Sequence, residues 1–170
     1  MARDLLGKVI VYDGPAGRRA ARLVEVEAYL GARDPASHAY RGPTPRTAPM
    51  FGPPGRSYVY FVYGMYHCVN VVAERDGVAG AVLLRGAEPV EGVGDDPRAL
   101  AGPGKLARAL GLTTEQTNMD LVRSALSIRE APAVPVTRVV RTARIGLTAH
   151  ATTRKPWRLY VAGSPGVSRA

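Results

Sequence analysis

Apolar residues in this chain recur in short runs with the two-residue period of β-strands, and glycine, proline or an Asp-Gly pair closes most of the runs. That punctuation leaves little room for long helices. Residues 6–12 read as a strand, 13–17 (DGPAG) as a turn, and 22–30 as a second strand. Residues 58–63 and 66–73 flank Gly64-Met65 as a hairpin, Asp76-Gly77 marks a turn, and residues 79–87, 139–147 and 158–161 return to the strand pattern. Helical signals are fewer. Gly102-Pro103-Gly104 opens a helix over residues 105–110 that Gly111 stops, and Asp34-Pro35 and Thr44-Pro45 each look like an N-cap followed by proline in the first turn. Residues 90–101 read as a loop-like linker. The expected fold is a single α+β domain over residues 1–170, with a curved, mostly antiparallel sheet and short helices.

Length and composition narrow the function classes. A chain of 170 residues with 46% hydrophobic content builds one packed core and is no disordered basic tail. No apolar run approaches the roughly 20 residues that span a bilayer. The opening MARDLLGKVI lacks the apolar core and cleavage site of a secretory signal, and Cys68 is the single cysteine, so a reducing, cytoplasmic compartment and no membrane are expected. The net charge is +9, and beyond Glu130 the chain carries seven basic residues and no acidic one. A polyanionic partner explains this, and so does a solvated face made arginine-rich by codon usage.

Three groups of residues could carry chemistry. In LVEVEAY, strand alternation places Glu25, Glu27 and Tyr29 on one face and Val24, Val26 and Ala28 on the natural core face. The two carboxylates are then either a solvated outer surface or the lining of a cleft, where a carboxylate activates water or stabilises a developing cation. In YVYFVYGMY, four of the eight tyrosines fall within nine residues, with Tyr63 and Tyr66 bracketing the turn itself. Turns ordinarily carry small polar residues, so an aromatic tip either packs under another element or is presented as a wedge, as in proteins that unstack DNA. Finally, Asn70 and Arg85 sit among strand-core residues, where an amide needs hydrogen-bond partners and a guanidinium needs an anion. His38 falls in a short helix after the Glu27 strand. His38, His67 and His150 have no metal-ligand spacing, and no metal or cofactor is expected.

Taken together, LVEVEAYLG, DPASHAYRGPTPRTAPMF, YVYFVYGMYHCVNVV, AVLLRGAEPVEG, GPGKLARALG, RIGL and RKPWRLYVAGSP resemble the 3-methyladenine (alkyladenine) DNA glycosylase family, in the family's order and over most of the chain. The resemblance implies a fold like the C-terminal domain of methionyl-tRNA formyltransferases and excision of damaged purines from duplex DNA by a monomer, as in base excision repair. It implies Glu27 as general base, with Arg85 and the Leu147 carbonyl holding the attacking water. Tyr29, His38 and Tyr60 match the aromatic pocket for the flipped base, and Asn70 the residue that crowds the 2-amino group of guanine. Tyr63 matches the intercalating residue, with Met65 and Tyr66 beside it at the minor groove. Arg41, Arg46 and Lys105 are assigned to phosphates. The chain departs from the family pattern at residues 148–153 (TAHATT) and at His67, where an apolar residue is common. A lesion-sensing module without activity and an RNA-binding domain are the rival readings; Glu27 and Arg85 speak against the first and the pocket residues against the second.

Overall fold

The structure, a computed structural model, describes residues 1–147 and 154–169. Among these residues are eight strands: β1 (Val9–Gly14), β2 (Gly17–Tyr29), β3 (Ser57–Val62), β4 (Tyr66–Val72), β5 (Ala81–Glu91), β6 (Leu126–Arg129), β7 (Val139–Thr142) and β8 (Arg158–Val161). Two α-helices accompany them, a single turn α1 (Ala2–Leu5) and α2 (Pro103–Leu110). The strands form one antiparallel sheet in the order β3-β4-β5-β2-β1-β6, with β8 added to β2 and β7 to β8. This is the expected α+β domain with a curved antiparallel sheet. Among the described residues no helix is long and apolar enough to cross a membrane.

The centre of the sheet is β2. One edge pairs with β5 along most of its length, while the other edge is shared, β1 taking residues 17–22 and β8 residues 25–27. The β2–β5 ladder is interrupted where Leu23 faces Ala87 and Glu25 faces Gly86, leaving Val24 extra, and again where Val26 faces Leu84, leaving Arg85 extra. Such bulges bend a strand and re-aim the unpaired side chain. Here they fall beside Glu25 and present Arg85 to it. Ile10, Leu23, Val26 and Leu84 pack from the sheet against Leu100, Leu106 and Leu110, all fully buried. A smaller cluster of Ala39, Met50, Tyr58, Val72 and Ala81 lies under the turns that follow β2.

Several expectations are corrected. The first strand begins at Val9, because residues 2–5 form the α1 turn, and the second begins at Gly17, pairing directly across the hairpin with Gly14. Neither Asp34-Pro35 nor Thr44-Pro45 starts an α-helix: the segment between β2 and β3 is turns with short 3-10 pieces at Gly31–Arg33 and Ala48–Phe51, and His38 sits in one of the turns. Asp34 does accept local backbone N–H bonds, from Leu30 and Ala36, but it is fully buried and its main partner is Arg144. The linker at 90–101 is more ordered than expected. Strand β5 runs through Val90 and Glu91, and a 3-10 turn at Pro97–Leu100 drives Leu100 into the core. The strand expected over 139–147 stops at Thr142, since Arg144 turns inward to Asp34. Strand β6 was not expected at all. By contrast, the β3–β4 hairpin and β8 match, and α2 matches within two residues, ending at Gly111 in the left-handed conformation (φ 72°) that favours glycine.

Candidate active site

Glu25 and Glu27 are both fully buried, so the solvated-face alternative fails. A buried carboxylate is tolerated only when cations and N–H donors replace its water, and four segments supply them. Glu27 accepts hydrogen bonds from the Tyr29 hydroxyl (2.9 Å) and the Ile145 amide (2.8 Å), and its Oε1 lies 3.4 Å from Arg85 Nε. Burial first, and then the adjacent Glu27 charge, push the Tyr29 phenol far above its ordinary range, so it remains a donor. Burial alone would raise the Glu25 carboxyl, but the Ser168 amide, Arg158 and Arg85 outweigh it and hold the group below the usual glutamate value.

In front of Glu27, on the far side of Tyr29 and Ile145, opens a cavity of about 350 Å³. Its aromatic wall is Tyr29, His38, Tyr58 and Tyr60; Asn70, Cys68 and Leu83 line it from β4 and β5; Arg85 and residues 145–147 complete it. Alternation along β3 turns Tyr58 and Tyr60 to the same side, their rings 5.5 Å apart. The His38 ring stands edge-on to Tyr60 at 4.5 Å and shares a 3.3 Å hydrogen bond with the Tyr58 hydroxyl. His38 is solvent-accessible at the rim, yet desolvation, with Arg46 second, holds it below the ordinary imidazole range. Asn70 is buried and donates to the Tyr58 carbonyl at 2.9 Å, which fixes how its amide faces the cavity. Burial raises the Cys68 thiol, leaving a neutral, weakly polar group in the wall.

The floor is braced from behind. Arg144 forms a two-pronged pair with Asp34 (2.5 and 2.8 Å), donates to the Ala28 carbonyl, and stacks over Tyr29 (4.4 Å) and Trp157 (5.0 Å). The next residue, Ile145, then delivers its amide to Glu27.

The β3–β4 hairpin overhangs the cavity mouth. Tyr63 is 81% exposed, Met65 65% and Tyr66 37%. Tyr63 (φ 53°) and Gly64 (φ 67°) both adopt left-handed conformations, and the Met65 amide closes the turn on Val62. This is the geometry of a type I′ turn, whose first central position ordinarily takes asparagine, aspartate or glycine. Tyr66 packs on α2 at Gly104, where a Cβ would lie 2.8 Å from the tyrosine ring.

Of the residues picked out from sequence, Tyr29, His38, Tyr60, Tyr63, Asn70, Arg85 and Leu147 come together around one cavity, Glu27 stands directly behind it, and Met65 and Tyr66 lie at the hairpin tip. Arg46 is exposed but leans inward, over the Tyr60 ring at 5.5 Å and onto the Phe61 carbonyl. Arg41 and Lys105 are exposed, Lys105 bonding the Arg98 carbonyl. His150 and the divergent segment 148–153 lie outside the described residues. Sequence reasoning missed Arg158, Ser168 and the Asp34–Arg144 pair. For Arg158 the signal was a lone arginine opening a strand-type run; Ser168 carried none.

A sequence model of the family described as methylpurine-DNA glycosylase matches residues 1–165. Relatives named "Putative 3-methyladenine DNA glycosylase" include one from Anaeromyxobacter dehalogenans, 51% identical over 99% of this chain and 80% of its own length. A second, from Myxococcus xanthus, is 46% identical over 99% of this chain and 87% of its own, and a third, from Chlorobaculum parvum, is 44% identical over 99% and 84%.

Proposed function

The chain belongs to the methylpurine-DNA glycosylase family and is a DNA-3-methyladenine glycosylase, and from that premise we propose that it rotates alkylated or deaminated purines out of duplex DNA and hydrolyses their N-glycosidic bond with a water activated by Glu27. The observation that carries the reading is the aromatic cavity with the Glu27 carboxylate hydrogen-bonded to its Tyr29 wall.

A base inside a duplex hides its glycosidic bond and must leave the stack before it can be cut. The flipped purine lies against Tyr29, with His38 and Tyr60 on its other side. N-alkylated purines are cationic, and electron-rich aromatic faces favour them over neutral bases. Asn70 crowds the position of the guanine 2-amino group. Tyr63 fills the vacated stack, and Met65 and Tyr66 rest in the minor groove beside it. Arg41, Arg46 and Lys105 contact phosphates.

The reaction follows from these positions. The C1′–N bond breaks, its electron pair leaves with the purine, and positive charge develops on the sugar next to a carboxylate. Water, held by Arg85 and the Leu147 carbonyl, adds its oxygen to C1′ and gives its proton to Glu27. The products are an abasic site and the free base: a cationic alkylated purine leaves neutral, and a deaminated purine, which leaves as an anion, takes up a proton from solvent. A carboxylate in a dry, hydrogen-bonded setting stabilises such a cation far better than one in water.

Glu27→Gln tests this. It keeps the shape and removes the charge, so single-turnover base release from a hypoxanthine or 3-methyladenine duplex should fall by about 10²- to 10⁴-fold. Binding of the lesion duplex should survive. Release near the wild-type rate would refute the assigned base.

A further inference from the structure

Glu25 takes no part in the proposed reaction, yet it gathers more donors than Glu27. Its Oε1 accepts from Arg158 Nε (2.7 Å), Ser168 Oγ (2.9 Å) and Arg85 Nε (3.0 Å), and its Oε2 accepts from the Ser168 amide (2.7 Å). Arg158 is fixed in turn by the Thr142 hydroxyl, the Arg169 carbonyl and the Tyr160 ring. The Arg85 Nε that lies 3.0 Å from Glu25 also lies 3.4 Å from Glu27. One N–H donates well to only one acceptor, and the shorter distance is to Glu25.

We propose that Glu25 is a positioning residue for excision: with Arg158 and Ser168 it forms a buried clamp that fixes the Arg85 guanidinium beside Glu27, where the proposed mechanism has Arg85 hold the attacking water. The inference rests on the reading of Glu27 as the base.

The fold is shaped around this clamp. Arg85 is the extra residue of the β5 bulge, aimed at Glu25 by that irregularity, and its carbonyl is held by the Gly102 amide. The segment carrying Ser168 approaches β5 so closely that a Cβ on Gly86 would lie 2.3 Å from the Gly166 carbonyl oxygen, and one on Gly166 2.3 Å from that of Ala87. The groups facing Glu27 are Tyr29 and Glu25 from β2, Arg85 from β5, Arg158 from the register-opposed position on β8, and Arg144 next to Ile145. Tyr29 stays protonated, Arg144 is engaged by Asp34, and Arg158 is engaged by Glu25. Arg85 is the cation within 4 Å of both carboxylates among the described residues. Without Glu25 it closes on Glu27 as a charge-assisted pair and leaves the place from which it holds the water.

In single-turnover excision, Glu25→Gln should lower the maximal rate about tenfold, because a misplaced Arg85 no longer holds the water in line. Lesion binding should change less than about twofold, and Glu25→Asp, which keeps the charge, should recover most of the rate. A merely structural role would lower the melting temperature and leave the maximal rate of the folded protein unchanged, which would overturn the proposal. If Glu25→Gln alone does not fold, Glu25→Gln combined with Arg158→Gln keeps the cluster charge-balanced and should show the same loss of rate with binding retained; an unchanged rate there overturns it equally. Glu27→Gln run alongside separates the readings. If that variant is active, the base assignment fails; if it is inactive while Glu25→Gln excises at the wild-type rate, only the clamp fails.

Discussion

Tyr63 offers a test in which stability and activity should move in opposite directions. Its ring is 81% exposed, so truncation removes almost no buried surface, and an exposed substitution of this kind usually shifts folding by no more than about 0.5 kcal/mol. Its backbone is another matter. A φ of 53° is left-handed, a conformation that costs an ordinary side chain about 1–2 kcal/mol and that asparagine tolerates best after glycine. Tyr63→Asn should therefore stabilise the protein by about 1 kcal/mol, which for a chain of this size is roughly 2–4 °C in melting temperature. On DNA the sign reverses. Base–aromatic stacking is worth about 1–3 kcal/mol, so losing the ring should shift the flipping equilibrium toward the stacked state by about 5- to 150-fold. Thermal unfolding reads the first quantity, and a fluorescent lesion that brightens on unstacking reads the second. The loss should be largest in well-paired duplexes and smaller opposite mismatches, which are already loosened. If Tyr63→Asn melts several degrees lower than wild type and flips the lesion as completely, Tyr63 is a packing residue and the reasoning fails.

Asn70→Ser should increase release of guanine-type bases relative to hypoxanthine, and because it strips the Tyr58 carbonyl of its 2.9 Å partner it should also cost about 1–2 kcal/mol in denaturant unfolding; an unchanged ratio removes Asn70 from selectivity. Gly86→Ala places a methyl 2.3 Å from the Gly166 carbonyl oxygen and 3.1 Å from the Glu25 carboxylate, so it should destabilise by about 1–3 kcal/mol and lower excision more than lesion binding. Burial, with Arg46 second, lowers the folded-state pKa of His38 below its ordinary 6.5, so the folded protein favours its neutral form: the stability it lends is complete above 6.5 and is lost as pH falls through the lowered value. Urea midpoints from about pH 7.5 to 5 should therefore fall more in wild type than in His38→Asn.

What the sequence disclosed and what it withheld divide along a physical line. Hairpin β3–β4 was legible because alternation and a glycine at the turn are local signals, and the tyrosine tip stood out because it violates local turn chemistry. Strand β8 was legible as an apolar run between proline and glycine. The burial of Glu25 and Glu27 was not, because it depends on Arg85, 60 residues away, and Arg158, 133 residues away from Glu25. No local pattern separates a carboxylate facing water from one facing two guanidiniums. Asp34 misled for the same reason. Its local role, accepting nearby backbone N–H bonds, looks like a helix cap, while its dominant partner, Arg144, is 110 residues on. The run 139–147 read as one strand because its apolar periodicity continues past Thr142, where the ion pair pulls the backbone out of the sheet. Strand β6 has only four residues, too few for a period to register.

The buried cluster has a consequence for selectivity. Glu25, Glu27 and Asp34 are matched by Arg85, Arg158 and Arg144, so at the distance of the cavity mouth the six charges largely cancel. On the proposed mechanism, an incoming cationic base therefore meets little net attraction from the protein interior, and its recognition in the ground state would fall to the aromatic faces of Tyr29 and Tyr60 and to His38, whose charging burial disfavours. In the same proposal a sugar cation forming beside Glu27 has that carboxylate nearer than any compensating guanidinium, so the cancellation breaks down there. The attraction would then be strongest where charge appears during bond breaking, which would lower the barrier without tightening the hold on intact DNA. On the proposed mechanism, replacing Arg158 alone by a neutral residue should upset that balance. An uncompensated anion would make cationic lesions bind more tightly and neutral hypoxanthine no more tightly, so the ratio of their dissociation constants measures how nearly the cluster cancels. Equal effects on both lesions would show that the charge balance serves folding alone.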